Sequence, residues 1–227
     1  NFKQMLKCQI TRRNMKTNIF PISKYAVKYI VTSFVLFTLF WIIDFDFFAF
    51  ISFSAIFVFA YLYRNPEREL AIFETNSVVS PVDGVVNFIE ELEDDEYAYK
   101  IEIEGSYLEV GILRAPMDGV VEKALLQKGA RLPKSSLLCS AINENAELVF
   151  RSSASNSIKV KHFLKESFTS LDIDTKKGDK LRQSSRYGSM INGHTNIYIP
   201  QNFRLSINVG HKVTASQTLL GYFISLP

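Results

Sequence analysis

Two apolar stretches near the N-terminal end limit what this chain can fold into more than any other feature. Residues 26–43 and 47–63 are almost entirely apolar, and Asp44-Phe45-Asp46 separates them. Each stretch is close to the ~17 residues that form the lower limit for crossing a hydrocarbon core of about 30 Å. Aspartates at the centre of a bilayer would cost about 2–3 kcal/mol each, which disfavours one long span. The pattern predicts a hairpin of two membrane helices. Two alternatives stay open: a re-entrant hairpin in one leaflet, and a hydrophobic hairpin buried in a soluble protein.

The charges that flank the apolar stretches predict an orientation. Lys24 and Lys28 lie at the start of the first stretch, Arg64 and Arg68 follow the second, and the connecting turn has no Lys or Arg. The positive-inside rule then places both ends in the cytoplasm, with the chain in the inner or cytoplasmic membrane. Residues 1–23 contain basic but no acidic side chains and are predicted to be a disordered tail.

The sequence after the hairpin has the pattern of a β domain. Short runs of β-branched and aromatic residues alternate with turn residues, and no long helical period follows residue 66. Predicted strands cover 78–79, 85–89, 97–104, 107–113, 120–127, 147–151, 157–163, 196–200, 203–209 and short segments of 212–220. The predicted fold is thus an N-terminal transmembrane helical hairpin (24–66) and a mostly β soluble domain (67–227), a sandwich or barrel of many short strands.

Composition excludes some functions. The formal net charge of +3 gives no general affinity for polyanions, so we expect no nucleic-acid partner. Cys8 and Cys139 are far apart and have no metal-ligand spacing. This predicts a reducing compartment, no disulfide and no metal site.

A series of short motifs carries a resemblance to a known family. Ser80-Pro81-Val82-Asp83-Gly84 is a turn before a strand, because Asp and Gly both tolerate tight-turn geometry. The other motifs are Arg64-Asn65-Pro66-Glu67-Arg68, Leu113-Arg114-Ala115-Pro116-Met117-Asp118-Gly119, Asn143-Glu144-Asn145, Tyr198-Ile199-Pro200 and Val209-Gly210-His211-Lys212-Val213. In this order and spacing, over residues 24–222, the chain resembles phosphatidylserine decarboxylases of the short, membrane-anchored type.

The resemblance implies an activity in phospholipid biosynthesis. Members of this family cut themselves at a Gly-Ser bond, and the serine becomes a pyruvoyl group. Its ketone forms a Schiff base with phosphatidylserine and accepts electrons while carbon dioxide leaves, giving phosphatidylethanolamine. The implied partners are the phospholipid membrane and phosphatidylserine, and a homo-oligomer stays open. Asp83 matches a catalytic residue of the family pattern, and Arg114 matches a substrate-binding one.

This sequence departs from the family pattern where the chemistry is expected. The family histidine is replaced by Gly111. One alignment pairs Gly188 and Gly193 with the two glycines of the cleavage motif, which puts His194 at the serine position. The other alignment takes Gly188-Ser189 as the cleavage site, at the cost of about four extra residues before Tyr198. Ser189 is then the pyruvoyl precursor, and His194 could replace the missing base.

Three functional hypotheses follow. The first is a pyruvoyl-dependent phosphatidylserine decarboxylase, with Ser189, Asp83 and His194 as catalytic residues and Arg114 binding the substrate. The second is a catalytically inactive, membrane-anchored homologue that binds phospholipid or a partner enzyme. The third is a carrier-like or adaptor β domain, with Lys212 as a modifiable lysine at the tip of a glycine turn.

Overall fold

An antiparallel helical hairpin opens the described part of the chain. The computed structural model describes residues 21–68, 76–93 and 96–224, so the predicted basic tail lies outside them up to residue 20. A short 3-10 turn, Lys24–Ala26, leads into α1 (Val27–Ile42), and α2 (Asp46–Leu62) runs back beside it. Asp44 makes the turn with a φ of 58°, and the rings of Phe37 and Phe53 meet between the helices at 5.4 Å. The helical hairpin is confirmed, whereas its insertion in a membrane stays a prediction.

The surface of the hairpin is apolar and exposed. Ile42, Phe47 and Phe50 have exposed fractions of 74%, 70% and 69%. The helical segment Lys24–Ile42 is 19 residues long and apolar enough to cross a membrane, whereas Asp46–Leu62 is shorter. The described residues leave these side chains uncovered, which favours the membrane hairpin over a hairpin buried inside a soluble protein.

The domain that follows is mostly β, as predicted. Its only helix among the described residues is the single turn α3 (Cys139–Ile142). The strands are β1 (Ser77–Val79), β2 (Gly84–Glu91), β3 (Tyr99–Glu104), β4 (Ile112–Arg114), β5 (Gly119–Gln127), β6 (Asn145–Arg151), β7 (Ser157–Leu164), β8 (Asp172–Ile173), β9 (Lys180–Leu181), β10 (Arg186–Ser189), β11 (Gly193–Ile199), β12 (Phe203–Leu205), β13 (Lys212–Val213) and β14 (Leu219–Phe223).

Three antiparallel sheets enclose one core. The largest has the order β13-β2-β3-β11-β7-β6-β5-β9, and the smaller ones have the orders β1-β14-β12 and β4-β10-β8. Alternate residues of the long strands face inward, as the pleat requires. In β7, Ile158, Val160 and Leu164 are fully buried, and in β11 so are Ile197 and Ile199. β10 and β11, which contain both candidate cleavage sites, belong to different sheets.

Two predicted strands are shorter than expected. The inner strand predicted over 107–113 is a strand only in β4, because the segment before it turns toward the hairpin. Tyr107 stacks on Phe168 at 5.6 Å, and Arg64 at the end of the hairpin donates a hydrogen bond to the carbonyl of Leu108. The strand predicted over 203–209 ends with β12, before a turn at Gly210, where φ is +85°.

The hairpin is packed directly against the connection between β10 and β11. Ile191, in that connection, is 2% exposed and forms a cluster with Ala26, Leu62 and Tyr63 at the base of the hairpin. The two ends of the hairpin are also joined, because the N–H of Asn65 donates to the carbonyl of Pro21 at 2.6 Å. The membrane-type element therefore contacts the segment in which the family motif was expected.

Candidate functional site

A small cleft lies between the segment before β4 and the connection from β10 to β11. Its lining includes Asp83, Gly105, Gly111, Met190 and Gly193. Its inner volume is about 10 Å³, roughly the space that one water molecule needs. These residues come from the Asp-Gly turn and from both segments aligned with the family motifs. This cleft is therefore the candidate functional site.

Asp83 is held by three donors at the edge of this cleft. Nη1 and Nη2 of Arg68 lie 2.6 Å and 2.5 Å from its two carboxylate oxygens, and the N–H of Ala215 donates to Oδ1 at 2.8 Å. Both side chains of the pair are 8% exposed. A two-pronged arginine contact of this kind is among the stronger polar interactions in proteins. The contact with Arg68 fixes the orientation of the Asp83 carboxylate. Among the described residues this carboxylate binds an arginine of the family motif and no histidine.

Gly111 has no space for a larger side chain. A Cβ at this position would lie 2.8 Å from Cγ1 of Ile191 and 2.8 Å from the carbonyl oxygen of Met190. The N–H of Met190 donates to the carbonyl of Gly111 at 2.8 Å, which holds the two segments together. Where the resemblance predicts a catalytic histidine, the β10–β11 connection fills the volume.

His194 points away from the cleft. Gly193 and Thr195 line the cleft, and the side chain of the residue between them lies on the opposite face of the strand. Its ring stacks on Phe163 at 4.9 Å and is 6% exposed, and its Nδ1 has no hydrogen-bond partner in the described ranges. Burial lowers the pKa of His194, so the ring is neutral at pH 7. The sequence predicts that His194 replaces the missing base, but no contact among the described residues supports that role.

The peptide bond before His194 keeps one feature suited to acyl chemistry. The carbonyl of Gly193 accepts a hydrogen bond from the N–H of Gly105 at 2.9 Å. A donor aimed at a carbonyl oxygen would stabilise negative charge on it during nucleophilic attack. Position 194 nevertheless carries an imidazole, which cannot become a pyruvoyl group.

Ser189 lies at the end of a paired strand, outside the lining of the cleft. It is 2% exposed, opposite Ile112 on one side and Asp172 on the other. Gly188 before it is in close contact with the carbonyl of Asp172, which leaves no room for a Cβ. Within the described residues no hydrogen bond joins Ser189 to Asp83 or His194. The predicted set Ser189, Asp83 and His194 is not brought together.

Arg114 is buried beside other arginines. It is 4% exposed, and its Nη2 donates to the carbonyl of Pro66 at 3.2 Å. Burial, with the nearby charges of Arg186 and Arg68, lowers the pKa of Arg114 to about 10. The arginine predicted to bind substrate thus belongs to a cluster that short motifs could not show, because its members come from distant parts of the chain.

A buried histidine network in the core was also missed. Nδ1 and Nε2 of His162 lie 2.8 Å from Oγ1 of Thr195 and 2.8 Å from the hydroxyl of Tyr187. Burial lowers the pKa of His162 to about 3, so this ring is neutral. The alternation of Ile158, Val160 and His162 along β7 was a signal for an inward position. The network is complete within the core and stabilises the fold.

The remaining predicted residues are not placed for cofactor or metal chemistry. Lys212 lies in β13 and forms an ion pair with Glu109 at 3.1 Å, so it is not at the tip of a turn as the carrier hypothesis expected. Across residues 21–68, 76–93 and 96–224, no group of three His, Cys, Asp or Glu side chains is arranged to hold a metal ion. The two candidate cleavage positions do not fit a pyruvoyl group at the cleft, because Ser189 lies outside its lining and position 194 is a histidine.

Comparison with known proteins identifies the family. The family model of phosphatidylserine decarboxylase matches residues 56–221. The phosphatidylserine decarboxylase proenzyme of Geobacter sulfurreducens is 31% identical over 166 residues, which are 71% of this chain and 76% of that protein. The proenzyme of Burkholderia pseudomallei strain 1106a is 28% identical over 162 residues, 70% of this chain and 74% of that protein. The chain therefore belongs to the phosphatidylserine decarboxylase family, whose named members are carboxy-lyases of lipid metabolism.

Proposed function

We propose that this protein is a membrane-anchored member of the family that binds phospholipid and stays uncut. The observation that carries the proposal is the packing at Gly111, where Met190 and Ile191 occupy the volume expected for the catalytic histidine. His194 at the aligned serine position adds to it. A chain with no histidine at position 111 and no serine at position 194 keeps the fold of a lipid enzyme but lacks the groups with which the family cuts its backbone.

The exposed hairpin supports the membrane part of the proposal. Its outward-facing Phe, Ile and Trp side chains are suited to hydrocarbon, and Arg64 marks the level of the headgroups where α2 has ended. Arg64 also bonds the carbonyl of Leu108, in the same segment as the cleft residues Gly105 and Gly111. The cleft then lies near the membrane surface, on the cytoplasmic side if the flanking charges set the orientation.

A second candidate function is the decarboxylation of phosphatidylserine to phosphatidylethanolamine. One observation favours it: Gly188-Ser189 is a Gly-Ser peptide bond in the matched region. The pyruvoyl group would then derive from Ser189. This candidate requires β10 to leave its pairing with β4 and β8, because Ser189 is buried between them.

An activity assay separates the two candidates. The full chain is purified in maltoside micelles, mixed with phosphatidylserine labelled at the serine carboxyl, and monitored for labelled carbon dioxide. The Geobacter sulfurreducens proenzyme serves as positive control. We expect no release above background, together with a thermal midpoint that phosphatidylserine raises. Release that is lost in Ser189→Ala would overturn the proposal in favour of the decarboxylase.

A further inference from the structure

Arg68, Arg114 and Arg186 form a cluster near the buried Asp83, at the junction between the hairpin and the β domain. Arg68 pairs with Asp83, and Nη2 of Arg186 lies 2.8 Å from Oε1 of Glu67. Arg114 is 4% exposed and forms no ion pair within the part of the chain that the structure describes. Among the described residues, three guanidinium groups thus meet two carboxylates, and one positive charge has no counter-charge. A buried unpaired charge is costly, which indicates that an anion completes the cluster.

Two donors of this cluster are not used. The Nε atoms of Arg114 and Arg186 are both buried and have no hydrogen-bond acceptor in the described part of the chain. β4 and β10 pair Arg114 with Arg186 directly, so the two side chains start from adjacent backbone positions. A guanidinium presents its donors as a planar fork that matches phosphate oxygens. The unused donors and the surplus charge both fit a singly charged phosphodiester.

Glu67 is placed to close the site when no ligand is bound. Its side chain is 62% exposed, whereas that of Arg186 is 20% exposed. An exposed carboxylate on a more buried arginine is held weakly, because water competes for it. The exposed contact of Glu67 with Arg186 is thus open to replacement by a phosphate oxygen.

The position of the arginine cluster favours a lipid headgroup as the source of the anion. Pro66, Glu67 and Arg68 follow Arg64 directly after the end of α2, at the depth of the headgroups if the hairpin lies in a bilayer. Asp83 joins the cluster to the cleft, because it both binds Arg68 and lines the cleft. A phosphate at the arginines would bring the rest of the headgroup toward the cleft.

We propose that Arg114 and Arg186, with Arg68 behind them, bind the phosphodiester group of a phospholipid, and that Glu67 covers this site in the unliganded protein. The inference rests on the proposed phospholipid binding and assigns it to a specific subsite. It gives Glu67 a role that opposes binding.

The test measures headgroup binding by the full chain in maltoside micelles. The probes are glycerophosphoserine, inorganic phosphate and serine, titrated calorimetrically into wild type, Arg186→Gln, Glu67→Gln and the control Arg204→Gln, an exposed arginine on β12. We expect Arg186→Gln to weaken glycerophosphoserine binding about tenfold, the usual cost of one charge-assisted hydrogen bond. We expect Glu67→Gln to tighten it severalfold, Arg204→Gln to leave it unchanged, and serine not to bind.

Each outcome decides a separate point. Wild-type binding that none of the three variants changes would overturn the arginine site and leave lipid binding intact. Equal affinity for inorganic phosphate and glycerophosphoserine would overturn the lipid assignment in favour of a free-phosphate site. Weaker binding in Glu67→Gln would overturn the covering role. Binding of neither the headgroup nor phosphatidylserine micelles by wild type would refute the proposed function itself.

Discussion

Two buried histidines on neighbouring strands differ in almost every respect that matters for function. His162 in β7 has partners on both ring nitrogens and is fully buried in the core. His194 in β11 lies on the other face of the same sheet, with an unpartnered Nδ1 and a ring stacked on Phe163. The core histidine completes a network, whereas His194, which one of the two alignments places at the serine position of the family pattern, has an unpartnered ring nitrogen in the described structure. The comparison shows that burial alone does not provide a histidine with hydrogen-bond partners.

The largest expected effect is on the core network. His162→Ala leaves a cavity and deprives the hydroxyls of Tyr187 and Thr195 of their partner, so we expect a loss of about 3–5 kcal/mol in the free energy of unfolding. Urea unfolding of the full chain in micelles, followed by circular dichroism, measures it. A loss below about 1 kcal/mol would show that the network does not stabilise the core.

The pH dependence of stability sharpens the comparison. The pKa of His162 is about 3 in the folded protein and about 6.5 when unfolded, so its contribution is complete above pH 6.5 and is lost as the pH falls toward 3. At pH 4.5 the loss in the free energy of unfolding amounts to about 2–3 kcal/mol. The unfolding free energies of wild type and His162→Gln should converge between pH 7 and pH 4.5. His162 titrates only in wild type, whereas all other groups titrate in both proteins. An equal pH dependence of the two free energies would contradict the lowered pKa of His162 in the folded protein.

Restoring the family histidine should damage the cleft. Gly111→His puts a side chain where Ile191 and Met190 already lie, and we expect a loss of about 1–3 kcal/mol from overpacking. Leu108→His in the same segment is the matched control, because Leu108 is 70% exposed and should tolerate the change. Equal unfolding free energies for the two variants would mean that the volume at Gly111 is not filled.

The smallest effect is expected at His194. His194→Ser removes the stack on Phe163 but also removes an unsatisfied buried nitrogen, so the net loss should be about 1 kcal/mol. We expect this variant to stay uncut, because no base faces residue 194 from position 111. Its intact mass, measured after days at 37 °C, reports cleavage, and a new fragment would show that serine alone restores processing.

The elements that sequence reasoning identified correctly depend on local patterns. The apolar stretches with Asp44 at the turn specify a helical hairpin, and alternation specifies strands such as β6 and β7. The segment around Tyr107 was misread because its apolar side chains pack on the hairpin instead of continuing a strand. Its partners are far away in sequence, so no local pattern indicates the turn.

The site was harder to predict than the fold. Asp83 and Arg114 were identified by motif, yet their surroundings depend on Arg68 and Arg186, which come from separate segments. The motif could show that Gly111 lacks a proton acceptor. Only three-dimensional contacts show that its neighbours have closed the space.

The intact mass of the purified protein, measured under denaturing conditions, tests the central claim most directly. The account predicts one species at the 25.9 kDa of the full 227-residue chain, with the Geobacter sulfurreducens proenzyme as the control for processing. A C-terminal fragment that begins at position 189 with a blocked N-terminus would contradict the account and identify this protein as a self-processing member of the family.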